Sequence, residues 1–83
     1  MNIDEFKNFP IDKQLEIVVS QGKLKYVKKL LKTYKFNDNV LKTILIRLKI
    51  YIKNNQNLEN INDYISIRRL FIELLEPVLF GQF

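Results

Sequence analysis

Cysteine and histidine are both absent from these 83 residues. Without thiols there is no disulfide framework and no thiolate metal site. Without imidazole, the usual zinc chemistry and the commonest general base are gone as well. A carboxylate-only metal site needs clustered acids, and the nine Asp and Glu residues show no such spacing. Glycine and proline number two each, so the punctuation of the chain falls to Pro10, Gly22 and Pro77. Long apolar runs are missing too. The most apolar stretch, 40–52, is broken by Lys42, Arg47 and Lys49 and falls short of the roughly 20 apolar residues that cross a bilayer. Asp4 and Glu5 stand where a secretory leader would be basic. The expectation is an intracellular, cytoplasmic chain with no membrane association, no cofactor, no bound metal, no evident small-molecule substrate and no catalytic site.

The rest of the composition is 47% apolar, which suits a folded chain and not a disordered one. The length suits one helical domain, 1–83, with a modest core. Lysine, asparagine and isoleucine are prominent. An AT-rich genome encodes these by default, so a lysine alone is weak evidence of a ligand.

Hydrophobic periodicity predicts helices throughout. Residues 2–9 form a short lead-in, with Ile3 and Phe6 a turn apart, and Pro10 separates it from the next helix. This first firm helix is expected over 12–21, with Asp12 as N-cap and Leu15, Val18 and Val19 inward. Gly22 closes it in the left-handed conformation glycine supplies at C′. A second helix over 23–34 carries Leu24, Val27, Leu30, Leu31 and Tyr34 on one stripe, and Lys25, Lys28, Lys29, Lys32 and Lys35 opposite. A turn at 36–39 leads to a third helix over 40–53, capped by Asp38 or Asn39. Its main face is Leu41, Ile44, Leu45, Leu48, Tyr51 and Ile52. Ile46 and Ile50 lie on its other side; a helix apolar on two faces is either central in the fold, the expectation for a small domain, or covers a partner. The Asn-rich stretch 54–63 reads as a loop pinned by Leu58 and Ile61. A fourth helix comes next over 64–76, capped by Asn62 or Asp63, with Ile67, Leu70, Phe71, Leu74 and Leu75 inward and Pro77 as its stop. The tail 78–83 is apolar: Leu79 and Phe80 either cap the helical stack or, with Phe83, anchor another protein.

The stretch 15–31 resembles an ankyrin repeat. That family's helix pair runs roughly Leu-x-x-Ala-Ala-x-x-Gly-x-x-x-x-Val-x-x-Leu-Leu, and Leu15, Val18, Val19, Gly22, Val27, Leu30 and Leu31 fall in register without a gap. The Thr-Pro-Leu-His opening is replaced by 11–14, valines stand for the alanines, and the second unit, 41–75, lacks the glycine. The segment 9–17 also looks like the opening of an F-box, Leu-Pro-x-Glu-x-x-Leu-x-Ile. A helix-turn-helix fits less well, since Lys28 stands where a buried apolar residue belongs. The resemblances imply an all-α, ankyrin-like fold of about four main helices in two stacked antiparallel pairs. They also imply a protein-binding, adaptor-type role.

Charge is segregated. The net charge is +5, yet 23–53 carries ten Lys and Arg against Asp38 alone, while both flanking segments are mildly acidic. Lys25, Lys28, Lys29 and Lys32 share a helix face that could follow a phosphate backbone or an acidic protein surface. Arginine, the better phosphate reader, is scarce, and only Tyr26 borders that face to stack a base. The expected function is a non-enzymatic interaction module in a larger complex. The expected contacts are Lys25, Lys28, Lys29, Lys32, Leu79, Phe80 and Phe83, and the alternative is an RNA- or ribosome-associated basic protein.

Overall fold

The structure, a computed structural model, describes the backbone over residues 3–79 and the side chains over residues 5–76. Five helices succeed one another: α1 (Ile3–Lys7), α2 (Ile11–Ser20), α3 (Leu24–Thr33), α4 (Asp38–Asn54) and α5 (Ile61–Leu79). The expected all-α architecture is what forms. Helices α2 and α3 make one antiparallel hairpin and α4 and α5 a second; α2 packs on α4 and α3 on α5. The result is a slab of 43 × 31 × 18 Å, about two helix diameters thick.

The first hairpin turns where the glycine predicts. Gly22 has φ +67°, and its N–H bonds the Val19 carbonyl at 3.0 Å while that of Lys23 bonds the Val18 carbonyl at 3.0 Å. This pair of bonds is the Schellman closure, which satisfies carbonyls the helix would leave bare. A Cβ on Gly22 would come within 2.8 Å of the Tyr64 ring, so the position excludes a side chain on two counts.

Several helix ends differ from expectation. Pro10, not Asp12, is the residue before α2, with φ −55° and ψ 153°, and its carbonyl takes the first helical bond from Gln14 at 3.0 Å. The ring presets that φ, and Asp12 instead places its charge in the first turn, where the helix dipole favours it. Asn37, not Asp38 or Asn39, caps α4: its Oδ1 accepts from the Asn39 N–H at 2.7 Å. Tyr34 is extended and half exposed just beyond α3, and Phe36 is buried in its place. An edge-on contact of the two rings, centroids 6.5 Å apart, holds that exchange.

The Asn-rich loop is shorter than expected. Successive turn bonds, Leu58 N–H to Asn55, Ile61 N–H to Leu58 and Asp63 N–H to Asn60, draw it in, and Leu58 and Ile61 pack on the core. Helix α5 therefore starts at Ile61, which takes Asn62 and Asp63 into its first turn. It also continues to Leu79 through Pro77. A proline near a helix end forfeits its own bond and strains one carbonyl, while later residues can still donate to the turn before them.

The core runs between the hairpins: Leu15, Val18, Val19, Val27 and Leu30 from the first, and Leu41, Ile44, Leu45, Leu48, Ile52, Tyr64, Ile67, Phe71 and Leu75 from the second. Leu74, expected inward, is 49% exposed, and Tyr64 takes an inward place instead. At about 100° per residue, Tyr64 falls with Ile67, Phe71 and Leu75 on one stripe and Leu74 at its edge. Among the described residues no buried side-chain nitrogen or oxygen lacks a partner, and no helix is long and apolar enough to cross a membrane.

Candidate interaction surfaces

Lys25, Lys28, Lys29 and Lys32 all project from the exposed side of α3, with Val27 and Leu30 turned into the core. None of the four has an ion-pair partner among the described residues. The lysine face expected from the sequence is thus assembled, and Lys23 sits 6.0 Å from the Tyr26 ring centroid at its edge. Lys35 lies beyond the helix end. The other expected contacts, Leu79, Phe80 and Phe83, lie outside the described side chains.

Helix α4 carries a second surface. Its inward stripe is Leu41, Ile44, Leu45, Leu48 and Ile52. Ile46 and Ile50 lie about 140° and about 180° round from Leu41 at 3.6 residues per turn, and they are 60% and 56% exposed. The expectation that they are covered does not hold. α4 meets α2 and α5, and neither of these helices covers the side bearing the two isoleucines. One border of this ridge holds Lys42, Lys49 and Lys53, and the other Thr43 and Arg47.

Beyond Arg47, α2 and α4 part to leave a cleft of about 190 Å³. Its floor is buried Val19, Ile44, Leu48 and Tyr64, and its rim is Glu16, Ser20, Arg47 and Tyr51. Arg47 donates to Glu16 at 2.9 Å across the opening. With the Arg47 side chain 69% exposed, such a bridge adds little stability and can open without great cost. The rings of Tyr51 and Tyr64 are 5.0 Å apart at 43°. The Tyr64 hydroxyl donates to the Ser20 carbonyl at 2.9 Å, so it satisfies one of the bare carbonyls at the end of α2. Burial, reinforced by the neighbouring Tyr51 hydroxyl, pushes the Tyr64 phenol above its ordinary value.

A wider depression of about 420 Å³ is lined by Leu31, Lys32, Tyr34, Phe36, Leu41 and Leu74. The hydroxyls of Ser20 and Thr43 bond to backbone carbonyls of their own helices at 2.7 and 2.9 Å. Among the described residues no three acidic side chains gather in metal-binding geometry. The sequence showed the isoleucine pair but not the cleft, because its walls come from residues of two hairpins. The i, i+4 spacing of Ile46 and Ile50 away from the main stripe was the available signal. No protein-family model matches the chain, and neither a curated protein nor a solved structure is significantly similar to it.

Proposed function

We propose that this chain is a non-enzymatic protein-interaction module, a small cytoplasmic component or adaptor of a larger assembly. The observation that carries the reading is the ridge of Ile46 and Ile50, more than half exposed, beside an apolar cleft. Two β-branched side chains held in water on a rigid helix gain free energy when a partner covers them, up to about 1.5–3 kcal/mol each for full burial. The resemblance of 15–31 to an ankyrin repeat and of 9–17 to an F-box opening points the same way, since both families work as adaptors.

A second reading has its own observation. Four exposed lysines without carboxylate partners along α3 form a surface for RNA or a ribosome. Four phosphate contacts would make the logarithm of affinity fall with the logarithm of salt at a slope of about −3.

Site-specific photo-crosslinking in the native cell separates the two. A crosslinking amino acid is placed at position 50 in one variant and at position 29 in another. Protein adducts at position 50 that survive nuclease are the expected result. Adducts confined to position 29 and destroyed by nuclease would transfer the function to the lysine face.

A further inference from the structure

The outer side of α4 is asymmetric, and that asymmetry specifies a partner. Lys42, Lys49 and Lys53 lie about 100°, 80° and 120° round from Leu41, so they form one row along the same border of the Ile46–Ile50 ridge. None has an ion-pair partner among the described residues. After Asp38 in its first turn, α4 carries no acidic residue at all. The other border leads past Arg47 into the cleft over Val19, Ile44 and Leu48. A cationic row, an apolar ridge and an apolar slot therefore lie side by side along one helix.

Resting on the protein-interaction reading, we propose that this face receives an acidic amphipathic helix of another protein. The apolar stripe of that helix covers Ile46 and Ile50, one of its apolar side chains enters the α2–α4 cleft, and its carboxylates face Lys42, Lys49 and Lys53. A docking helix presents its anchors at i, i+3 or i+4 and i+7, a one-turn spacing that lets successive anchors pack about Ile46 and Ile50, themselves one turn apart on α4. The charge pattern fixes which border the carboxylates take and speeds encounter.

Other occupants fit the same face less well. A second copy laid against it sets the lysine row against its own counterpart or against Arg47, cation to cation. Single-stranded RNA finds no ring along the ridge itself, and Tyr51 at the cleft rim is already packed against Tyr64. A lipid surface has no projecting group to fill a cleft between two helices.

The test uses isotope-labelled full chain and two synthetic helical peptides. Both carry leucines at i, i+4 and i+7; one is flanked by glutamates, the other by lysines at the same positions. The glutamate peptide is expected to shift amide resonances of α4 and of the cleft residues of α2, and the lysine peptide to bind at least tenfold more weakly. The triple variant Lys42→Glu, Lys49→Glu, Lys53→Glu is expected to reverse that preference. Ile50→Ser is expected to weaken the glutamate peptide tenfold with the helical signal unchanged. Equal affinity of the two peptides, shifts confined to α3, or tighter binding of poly(U) RNA or phosphatidylserine vesicles at α4 would each overturn the proposal. The interaction reading itself stands or falls on the position-50 adducts. Protein adducts at position 50 together with equal peptide affinities would therefore refute the acidic helix alone.

Discussion

A methyl group added at Gly22 would meet two obstacles at once. The backbone there sits at φ +67°, which costs an L side chain about 1–2 kcal/mol, and the Tyr64 ring lies 2.8 Å from the new carbon. Gly22→Ala is expected to lose about 2–4 kcal/mol in urea unfolding. Combined with Tyr64→Ala, the loss should be less than additive by about 1 kcal/mol, since the pair share the contact. Tyr64 carries a pH signature as well. Its hydroxyl donates to Ser20 only while protonated, and burial raises its pKa above the ordinary 10.0. The folded chain thus keeps that proton to higher pH than the unfolded chain. The contribution is whole below about pH 10 and is lost as pH rises through the folded value. Tyr64→Phe is expected to cost about 1 kcal/mol at neutral pH. The gap between variant and parent should hold steady up to about pH 10 and narrow as the pH rises beyond it, a difference in which the lysine titrations cancel.

Helix ends show how far the chain's own chemistry is legible. Asn37, Asp38 and Asn39 are three adjacent residues of capping type, and the sequence does not choose among them. Phe36 decides: once its ring is buried, the chain leaves it extended at Asn37 and the helix begins at the next residue. Asn37→Ala is expected to lose about 1 kcal/mol and Asn37→Gly only a few tenths, read as shifts of the urea midpoint at constant slope. The Gly22 turn was fully legible, because glycine and helix period agree there. The lysine face of α3 was legible for the same reason. The start of α5 was not, since an Asn-rich string reads as loop until Leu58 and Ile61 pack on the core. Nor was the exposure of Ile46 and Ile50: periodicity tells which side of a helix is apolar, and only the number of neighbouring helices tells whether that side is covered.

At the scale of the whole molecule, the helices and the Gly22 turn were readable from periodicity and turn residues; the stacking of two hairpins came only as an implication of the ankyrin resemblance, and the cleft was not readable at all. Its lining is drawn from α2, α4 and Tyr64 of α5, so it exists only once the two hairpins have come together. The core that joins the hairpins is thin, and Phe71 is wholly buried within it. Phe71→Ala is expected to remove about 3–5 kcal/mol. A domain of this length holds about 4–12 kcal/mol in all, so all helices should melt together, with circular dichroism and tyrosine fluorescence transitions coinciding. Ile46→Gln and Ile50→Gln should stay within about 0.5 kcal/mol of the parent, which separates the binding ridge from the scaffold. The bond from Tyr64 to Ser20 also has a place in time. The Gly22 turn closes with bonds from its immediate neighbours, whereas the phenol arrives from 44 residues away. The first hairpin can therefore assemble before the second supplies its latch. Stopped-flow experiments on Tyr64→Phe should find refolding almost unchanged and unfolding about fivefold faster: a lock fitted after the door has shut governs how long it stays closed.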